Sequence, residues 1–315
     1  MELTGIHHLT AISAAIRENH RFYTGVMGMR LVKRSVNQDD VSAYHLFYAD
    51  AKGSPGTDLT FFDWPVPPER RGTRAITRTS LRVAGRESLE WWHDHLSRRG
   101  IRTGEIRELD GRLTLRFQDP EGQRLALVDD GGAGKAFPWE RSPVPEAHQI
   151  RGLGPIEISV PVLEPTDRML REGVSMRPAR EYSHAADSRH TVHVYEMGPG
   201  GAGAELHVVV QPDLPVASQG AGGVHHVAFR TPDADYEPWA DRLNTLGIRN
   251  SGKVDRFWFR SLYFREPNGI LFEIATDGPG FAVDEDADAL GETVVLPPFL
   301  EPRREAIVAN LKPID

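Results

Sequence analysis

The chain has 315 residues, of which 39% are hydrophobic and 26% are charged, and its formal net charge is −8. This length is sufficient for two ordinary domains, and the composition is typical of a globular protein. No cluster of basic residues could follow a phosphate backbone, and no apolar run approaches the roughly 20 residues that span a bilayer, so we expect neither a nucleic-acid nor a membrane partner.

Cysteine is absent from the chain, which excludes disulfides, thiolate ligands and a cysteine nucleophile. Any bound metal must therefore be held by histidine, aspartate or glutamate. The N-terminus also lacks the basic-then-apolar pattern of a secretory signal. A cytoplasmic location is the prediction that follows.

The first predicted elements lie within residues 4–63. An alternating strand, GIHHLTAI, contains the adjacent histidines His7 and His8, and a helix is expected near residues 17–27. The strands AYHLFYAD and DLTFFDW close this segment. A second histidine pair occurs in GVHHVAF at residues 223–229, in the same local setting, which indicates an internal repeat.

A second copy of this pattern occupies residues 73–130. It consists of the strand ITRTSLRV, an amphipathic helix over residues 88–101 that ends in Gly-Ile, and the hairpin LRFQDPEGQRLAL. The Pro-x-Gly centre predicts the hairpin turn, because proline presets φ and glycine tolerates positive φ. The glycine- and proline-rich residues 131–149 are predicted to form a linker.

Two further copies follow within residues 150–276. The third begins with GLGPIEISV and ends with the strands TVHVYEMG and AELHVVVQ. The fourth contains VHHVAFRT, a helix over residues 235–248 and the hairpin LYFREPNGILFEI. We therefore predict an N-terminal pair of modules in residues 1–130, a C-terminal pair in 150–276, and a tail over 277–315 that packs on the body.

Each copy has the order strand, helix and three strands, and a βαβββ unit must bury its apolar sheet face against a neighbour. We therefore predict an α+β fold in which four modules form two cup-shaped half-barrel domains. Side chains suited to a metal occur in the first and last copies, whereas the second copy has Thr77, Arg78 and Ala126 at the matching positions. The first and last modules should therefore share the cup that holds the metal site.

Two imidazoles and one carboxylate suit Fe(II) and Mn(II) and leave coordination positions open. The carboxylate candidate is Glu273, in the apolar strand LFEIATD. Adjacent side chains of a strand point to opposite faces, so alternation does not decide which histidine of each pair would bind.

The four βαβββ units resemble the vicinal oxygen chelate superfamily, which includes glyoxalase I, extradiol dioxygenases and bleomycin-resistance proteins. The segments GIHHLTAISA, AYHLFYAD, GVHHVAFRT, REPNGILFEIATDGPGFAVDE and LPPFLEPRR resemble the hydroquinone-cleaving branch of the ring-cleavage dioxygenases. The resemblance implies an enzyme that opens an aromatic ring with non-haem Fe(II) and O2. It favours hydroquinone substrates, with catechols as the alternative, and it implies His8, His226 and Glu273 as ligands.

The same resemblance implies the residues around the substrate. It places His7, Thr10 and His225 beside the metal, and Arg256 and Tyr263 facing the aromatic substrate. The chemistry of these groups is suitable. Arginine stabilises a phenolate, a tyrosine hydroxyl donates to a substrate oxygen, and a histidine moves protons near neutral pH.

Two other functions stay open at this point. A glyoxalase-like lyase or isomerase would stabilise an enediolate with Ni(II), Zn(II) or Mn(II), but the strand DLTFFDW has no glutamate to match Glu273, and Asp63 lies at its end. A bleomycin-resistance-like protein would bind a small molecule without metal ligands.

The sequence does not select the ring substituents of the substrate, the choice between iron and manganese, or homo-oligomerisation. The roles of four histidines in or near strands are also open: His45, His190, His193 and His207. On the second predicted helix, His93 and His95 are expected to be solvated.

Overall fold

Sixteen strands form two eight-stranded sheets in the computed structural model, which describes residues 1–314. In chain order the strands are β1 Gly5–Ser13, β2 Arg30–Val36, β3 Tyr44–Ala49, β4 Asp58–Asp63, β5 Ala75–Val83, β6 Arg107–Leu109, β7 Arg112–Gln118, β8 Arg124–Asp129, β9 Gly152–Val160, β10 Arg177–Ser183, β11 Thr191–Glu196, β12 Glu205–Val210, β13 Val224–Thr231, β14 Val254–Asp255, β15 Arg260–Arg265 and β16 Leu271–Thr276.

One helix follows the first strand of each module, and a fifth lies in the tail. They are α1 Ile16–His20, α2 Gly85–Arg98, α3 Leu163–Arg168, α4 Tyr236–Thr245 and α5 Arg304–Ala309. Helices α1 and α3 continue as π-helical turns over Arg21–Val26 and Met169–Gly173. No helix among residues 1–314 has the length and apolar character that crossing a membrane requires.

The strand order shows which modules share a sheet. The first sheet runs β14-β15-β16-β13-β1-β4-β3-β2, so it joins the last module to the first. The second runs β10-β11-β12-β9-β5-β8-β7-β6 and joins the third module to the second. This arrangement confirms the predicted α+β fold of four βαβββ modules in two half-barrels, and the predicted pairing of the first module with the last.

Glycines end the two longest helices and form the two predicted hairpin turns. Gly100 and Gly247 have φ of +73° and +67° just beyond α2 and α4, which is the left-handed conformation that glycine adopts most easily at a helix end. Gly122 and Gly269 have φ of +89° and +93° in the hairpins. The Pro-x-Gly pattern therefore predicted these turns for the correct physical reason.

The main hydrophobic core contains fully buried side chains from all four modules, among them Leu9, Trp92, Ile158 and Trp239. Helix α2 contributes one residue whose predicted exposure is wrong. His95 is buried rather than solvated, because it stacks on Trp91 and its Nε2 lies 2.9 Å from the carbonyl oxygen of Val26.

A buried lysine fixes the tail against the first sheet. Lys33, in β2, is fully buried and donates to Asp284 Oδ1 over 2.9 Å, to the carbonyl oxygen of Phe281 over 3.0 Å, and to Glu285. Its ammonium also lies 5.0 Å from the centroid of the Trp258 ring. A buried charge needs this number of partners to offset its lost hydration.

We predict that Lys33→Ala lowers the free energy of unfolding by about 3–5 kcal/mol, because it leaves two largely buried carboxylates without their cation. Denaturant unfolding followed by circular dichroism measures the change. The matched control is Lys253→Ala, which removes an exposed ion pair with Glu237 and should cost less than about 1 kcal/mol. Equal losses for both variants would contradict the role given to Lys33.

Candidate metal and substrate site

The first sheet brings together one side chain from each of three neighbouring strands. The Nε2 atoms of His8 and His226 lie 3.2 Å and 2.9 Å from Oε2 of Glu273, and 3.4 Å from each other. None of the three side chains is more than 4% exposed. The histidines come from positions 218 residues apart, and the strand pairing alone unites them.

The register of the three strands explains this convergence. His8 in β1 is paired with Ala228 in β13, and Ala228 is paired with Glu273 in β16, so these three residues form one row across the sheet. His226 lies two residues before Ala228 and therefore points to the same face. All three side chains consequently project into the cup of the first sheet.

The first histidine of each pair is the extra residue of a β-bulge. Between β1 and β13 the register shifts across Ile6/His8 on one strand, and the pairing moves from Thr10–His226 to Ala11–Val224. His7 and His225 therefore have no partner of their own in the ladder. A bulge suspends strict alternation, which lets the two adjacent imidazoles of each pair meet.

The bulged His7 fixes the tautomer of His8. His7 Nε2 lies 3.0 Å from the carbonyl oxygen of Thr276, which can only accept, so Nε2–H donates there. Burial and neighbouring His8 lower the pKa of His7 to about 3, so its Nδ1 is a free acceptor. His8 Nδ1, 2.9 Å away, must then donate to it. Nε2 is then the ring nitrogen of His8 that lies toward Glu273.

A parallel contact exists at the other strand. The Nδ1 atoms of His225 and His226 are 2.7 Å apart. Burial and neighbouring His226 lower the pKa of His225 to about 3, so this imidazole is neutral and can accept. When His226 donates Nδ1–H to it, Nε2 is the ring nitrogen of His226 that lies toward Glu273.

The charge of Glu273 is the third component of the cluster. Burial opposes ionisation of this carboxyl, but the two adjacent imidazoles outweigh burial and hold its pKa well below the usual range. Neither carboxylate oxygen has a hydrogen bond of good geometry. A fully buried, ionised carboxylate without good hydrogen bonds is stabilised by a bound cation.

The three donor atoms fit a divalent metal ion. Ligand distances of about 2.0–2.2 Å at near right angles place donor atoms about 3 Å apart, which agrees with the separations in this cluster. Two neutral imidazoles and one carboxylate on one side of an ion are also the donor set typical of non-haem iron sites with open positions.

Two other groups of histidines and carboxylates are already paired within the protein. In one, Arg112 and Arg180 occupy the carboxylate of Glu205, at distances of 2.7–3.0 Å, and His207 contacts the same carboxylate and the hydroxyl of Tyr182. In the other, His190 pairs with the half-exposed Asp213. His193 pairs with Glu181. These contacts give three of the four open histidines structural partners.

A cavity of about 500 Å³ opens beside the His8–His226–Glu273 cluster. Its walls are largely aromatic, and they include Phe47, Phe62, Trp64, Trp258 and Phe259. Its dimensions and its chemistry suit a small planar ligand that lies next to the cluster.

The predicted substrate residues divide into two groups. His225, Arg256 and Tyr263 line the cavity together with His8 and His226. His7 and Thr10 instead lie behind the cluster, where His7 contacts His8 and Thr10 Oγ1 lies 3.1 Å from His226 Nε2.

Arg256 and Tyr263 form one polar group in the cavity wall. Arg256 Nε donates to the Tyr263 hydroxyl over 3.3 Å, and its Nη2 donates to Asp39 Oδ2 over 2.8 Å. Burial alone would lower the pKa of Arg256, but the Tyr263 hydroxyl and Asp39 raise it above its usual value. Burial and nearby Glu273 raise the pKa of Tyr263, so this phenol stays protonated and can donate.

His45 has no role that the sequence alone predicts, and the structure places it in the cavity wall. Its Nε2 lies 2.9 Å from Thr60 Oγ1, which donates to Thr10 Oγ1 over 2.8 Å. Period-two alternation puts His45 and Phe47 on one face of β3. Only the pairing of β3 with β4 shows that this face of β3 lines the cup of the first sheet.

Comparison with known proteins agrees with the fold and the site. The model of the "Glyoxalase/Bleomycin resistance protein/Dioxygenase superfamily" matches residues 5–127 and 153–274. The chain belongs to this superfamily. The resemblance deduced from the paired histidines and the repeated modules is therefore confirmed.

Three known proteins are similar along essentially the whole chain. "Putative ring-cleaving dioxygenase MhqA" of Bacillus subtilis (strain 168) is 46% identical over 100% of both chains. The "Chlorohydroquinone/hydroquinone 1,2-dioxygenase" of Sphingobium indicum is 29% identical, with 98% of this chain and 95% of that protein covered. A crystal structure of a dioxygenase named as "putative", from Bacillus subtilis, has a TM-score of 0.90 at 33% identity and covers 100% of this chain and 98% of that one.

We predict that Glu273→Gln abolishes stoichiometric metal binding while the fold remains, because the amide has no charge to offer a cation. Without metal, the variant should be at least as stable as the wild-type protein, since it no longer buries an unpaired carboxylate. Elemental analysis gives the metal content, and thermal unfolding gives the stability. Full metal occupancy in Glu273→Gln would overturn the assignment of the cluster.

A second prediction concerns the tautomer of His8. His7→Ala removes the acceptor for His8 Nδ1–H and should weaken metal affinity by about 10–100-fold, the usual effect of losing a partner that orients a ligand. Competition with a metal chelator of known affinity measures the change. His93→Ala, at a half-buried helix position away from the cluster, is the matched control and should bind metal as the wild type does. An unchanged affinity in His7→Ala would contradict the tautomer assignment.

Proposed function

We propose that this protein is a ring-cleaving dioxygenase that opens hydroquinone-type aromatic rings with O2, using Fe(II) held by His8, His226 and Glu273. The observation that carries the proposal is a buried set of two histidines and one carboxylate at the wall of an aromatic cavity. The names of the similar proteins point to the same reaction class.

The chemistry that bound Fe(II) supplies is the activation of O2 next to an ionised substrate oxygen, which amino-acid side chains do not perform. Mn(II) accepts the same ligands. The protein itself holds the ring, excludes water and controls the protons.

The aromatic walls bind and orient the ring. Phe62, Trp64 and Phe259 present apolar faces and edges toward the cavity, so a benzene ring gains the contact energy of apolar burial. The same walls exclude water from the reacting atoms, which protects intermediates from hydrolysis and strengthens electrostatic interactions in the cavity. The cavity shape would set which ring substituents are tolerated.

Arg256 and Tyr263 are the groups that recognise a substrate oxygen. The guanidinium stabilises a phenolate, and the protonated Tyr263 hydroxyl donates a hydrogen bond to the same region. Asp39 lies at the rim of the cavity and pairs with Arg256, so the guanidinium is oriented before the substrate enters. Binding then requires little reorganisation of these side chains.

His225 is a group in the cavity wall that can form a hydrogen bond with the substrate. Its Nδ1 is engaged by His226, which leaves Nε2 for the ligand. Because its pKa is about 3, the imidazole is neutral at physiological pH and acts as a hydrogen-bonding partner rather than as a fixed cation.

Neither alternative function gains support from this site. A glyoxalase-like reaction calls for a second carboxylate from the first module, but the residue related to Glu273 by the repeat is Thr60, and Asp63 is engaged by Lys312 over 2.8 Å. A protein that only sequesters a ligand would have no use for the buried carboxylate of Glu273.

We predict that anaerobically purified protein loaded with Fe(II) consumes one O2 for each hydroquinone ring opened. An oxygen electrode, together with loss of the aromatic absorption band, measures both quantities for hydroquinone, chlorohydroquinone, methylhydroquinone and catechol. Glu273→Gln is the inactive control.

Absence of oxygen uptake with every compound, in protein shown to contain stoichiometric Fe(II), would refute the proposed function. Turnover of a hemithioacetal without oxygen would assign the glyoxalase-like reaction instead.

A further inference from the structure

We propose that the second cup of the molecule binds a small multivalent oxyanion, of the phosphate or carboxylate type, in a cleft lined by arginines. This cup is formed by the sheet β10-β11-β12-β9-β5-β8-β7-β6. The inference does not depend on the proposed reaction, because the cleft shares no lining residue with the aromatic cavity of the first cup.

The cleft has a volume of about 750 Å³ and lies between the hairpin of β7 and β8 and the segment that follows helix α2. Among residues 1–314, Asp119 is the one carboxylate in its lining, and its two oxygens already accept from the Tyr23 hydroxyl over 3.0 Å and from the backbone amides of Glu121 and Gln123. Five arginines line the cleft: Arg71, Arg78, Arg102, Arg116 and Arg124. In a chain whose formal net charge is −8, this is a local concentration of positive charge.

Most of this positive charge is not neutralised within the protein. Arg124 lies 3.5 Å from Glu69, but in the part of the chain that the structure describes, the other four arginines have no carboxylate at ion-pairing distance. The Nε atoms of Arg78 and Arg116 are buried there without a hydrogen-bond partner. Buried donors of this kind are stabilised by a ligand that supplies acceptor oxygens.

The pKa of Arg78 agrees with an excess of positive charge. Burial lowers this pKa to about 10, Glu157 opposes the change, and Arg116, Arg124 and Arg71 lower it further. The guanidinium still carries its proton at neutral pH, so the cleft keeps its charge. A bound anion would relieve the repulsion between these neighbours.

Strand pairing relates the cleft to the aromatic cavity of the first cup. Arg116 is paired with Ala126, as Tyr263 is paired with Glu273 in the corresponding hairpin of the last module. Arg124 lies two residues before Ala126 and therefore points to the same face of β8. Arg116 thus occupies in the second cup the position that Tyr263 occupies in the first.

Arg78 occupies the position of His226 in the same way. Between β5 and β9 the register shifts across Ile76/Arg78, so Thr77 is the extra residue of a β-bulge, and Arg78 follows it. His226 likewise follows the extra residue of the bulge between β13 and β1. The cleft is therefore the counterpart of the aromatic cavity, with guanidinium groups in place of an imidazole and a phenol.

The lining indicates the chemical class of the ligand. A guanidinium presents its donors as a planar fork that matches two oxygens of a phosphate or a carboxylate. Arg71 is already oriented, since its Nη2 donates to the carbonyl oxygen of Gly122 over 2.8 Å and to Gln118 Oε1 over 3.2 Å. Phe117 is the one aromatic residue in the described lining, so the cleft suits an anion rather than a planar ring.

The test measures binding of two probes to the metal-loaded protein by isothermal titration calorimetry at low ionic strength. The probes are inorganic phosphate and tricarballylate, which is a tricarboxylate. Arg116→Gln removes an unpaired guanidinium inside the cleft, and Arg116→Lys keeps the charge without the fork. Arg102→Gln changes an exposed residue of the cleft, so it tests the proposal even if Arg116→Gln does not fold.

We predict that Arg116→Gln weakens binding of the preferred probe by at least about 10-fold, because it removes a charge-assisted hydrogen bond. Arg116→Lys should lie between this variant and the wild type, and Arg102→Gln should weaken binding by about threefold. Without a probe, Arg116→Gln should unfold at no lower temperature than the wild type, since it removes a buried N–H that has no partner. A residue that only supports the fold would give the opposite result.

Two control variants should bind the probes as the wild type does. Arg168→Gln makes the same change of charge at an exposed position in α3, where the arginine pairs with Glu164. Glu273→Gln tests whether an anion is instead captured by a metal ion in the first cup. A preference for phosphate would assign a phosphate ester as the ligand class, and a preference for tricarballylate would assign a polycarboxylate.

Failure of the wild-type protein to bind either probe would overturn the proposal. Equal affinity in the wild type, Arg116→Gln and Arg102→Gln would also overturn it, as would an equal loss in Arg168→Gln, which would indicate a general effect of net charge. Loss of binding in Glu273→Gln would assign the anion to the first cup instead. None of these measurements requires oxygen or ring opening, so their outcome is independent of the proposed dioxygenase.

Discussion

The antiparallel pairing of β1 with β13 is the interaction on which the site depends. It closes the first sheet between modules that lie at opposite ends of the chain, and it sets His8 opposite Ala228 and Thr10 opposite His226. A one-residue slip would move a whole row of side chains to the other face of the sheet. The cluster therefore forms only in the complete fold, since neither the first nor the last module contains enough donors alone.

The two cups of the molecule differ in how they balance buried charge. In the second sheet, Glu205 is held by Arg112 and Arg180, so the carboxylate is compensated inside the protein. In the first sheet, the partners of Glu273 are two imidazoles, His8 and His226, rather than arginines. Buried charge that lacks a permanent counter-ion is expensive to maintain, and such sites are typically retained for binding or catalysis. Two cups built from the same kind of βαβββ pair therefore differ. In one, arginines of the protein neutralise the buried carboxylate, and in the other, the buried carboxylate is suited to a bound cation.

The sequence predicted the repeats, the turn glycines, the pairing of end modules and the donor types, because these depend on local patterns and on a simple inventory of side chains. It could not assign His45, since the position of this residue in the cavity wall follows from the pairing of β3 with β4, which no local pattern specifies. It also placed His95 in solvent, although Trp91 and the Val26 carbonyl bury it. Lys33 was overlooked for a similar reason, because its carboxylate partners lie about 250 residues away in the tail.

The histidine doublets at both ends of the chain gain a physical explanation from the bulges. A regular strand would send adjacent imidazoles to opposite faces, but His7 and His225 are extra residues in the ladder and can therefore contact their neighbours. In the proposed metal site, each doublet is one ligand histidine together with the neighbour that orients its ring and fixes its tautomer. Replacing the first histidine would leave the second histidine in place. The second histidine would then lose the hydrogen bond that fixes which of its ring nitrogens carries the proton. The requirement for a set tautomer thus explains why a site with two imidazole donors uses four histidines.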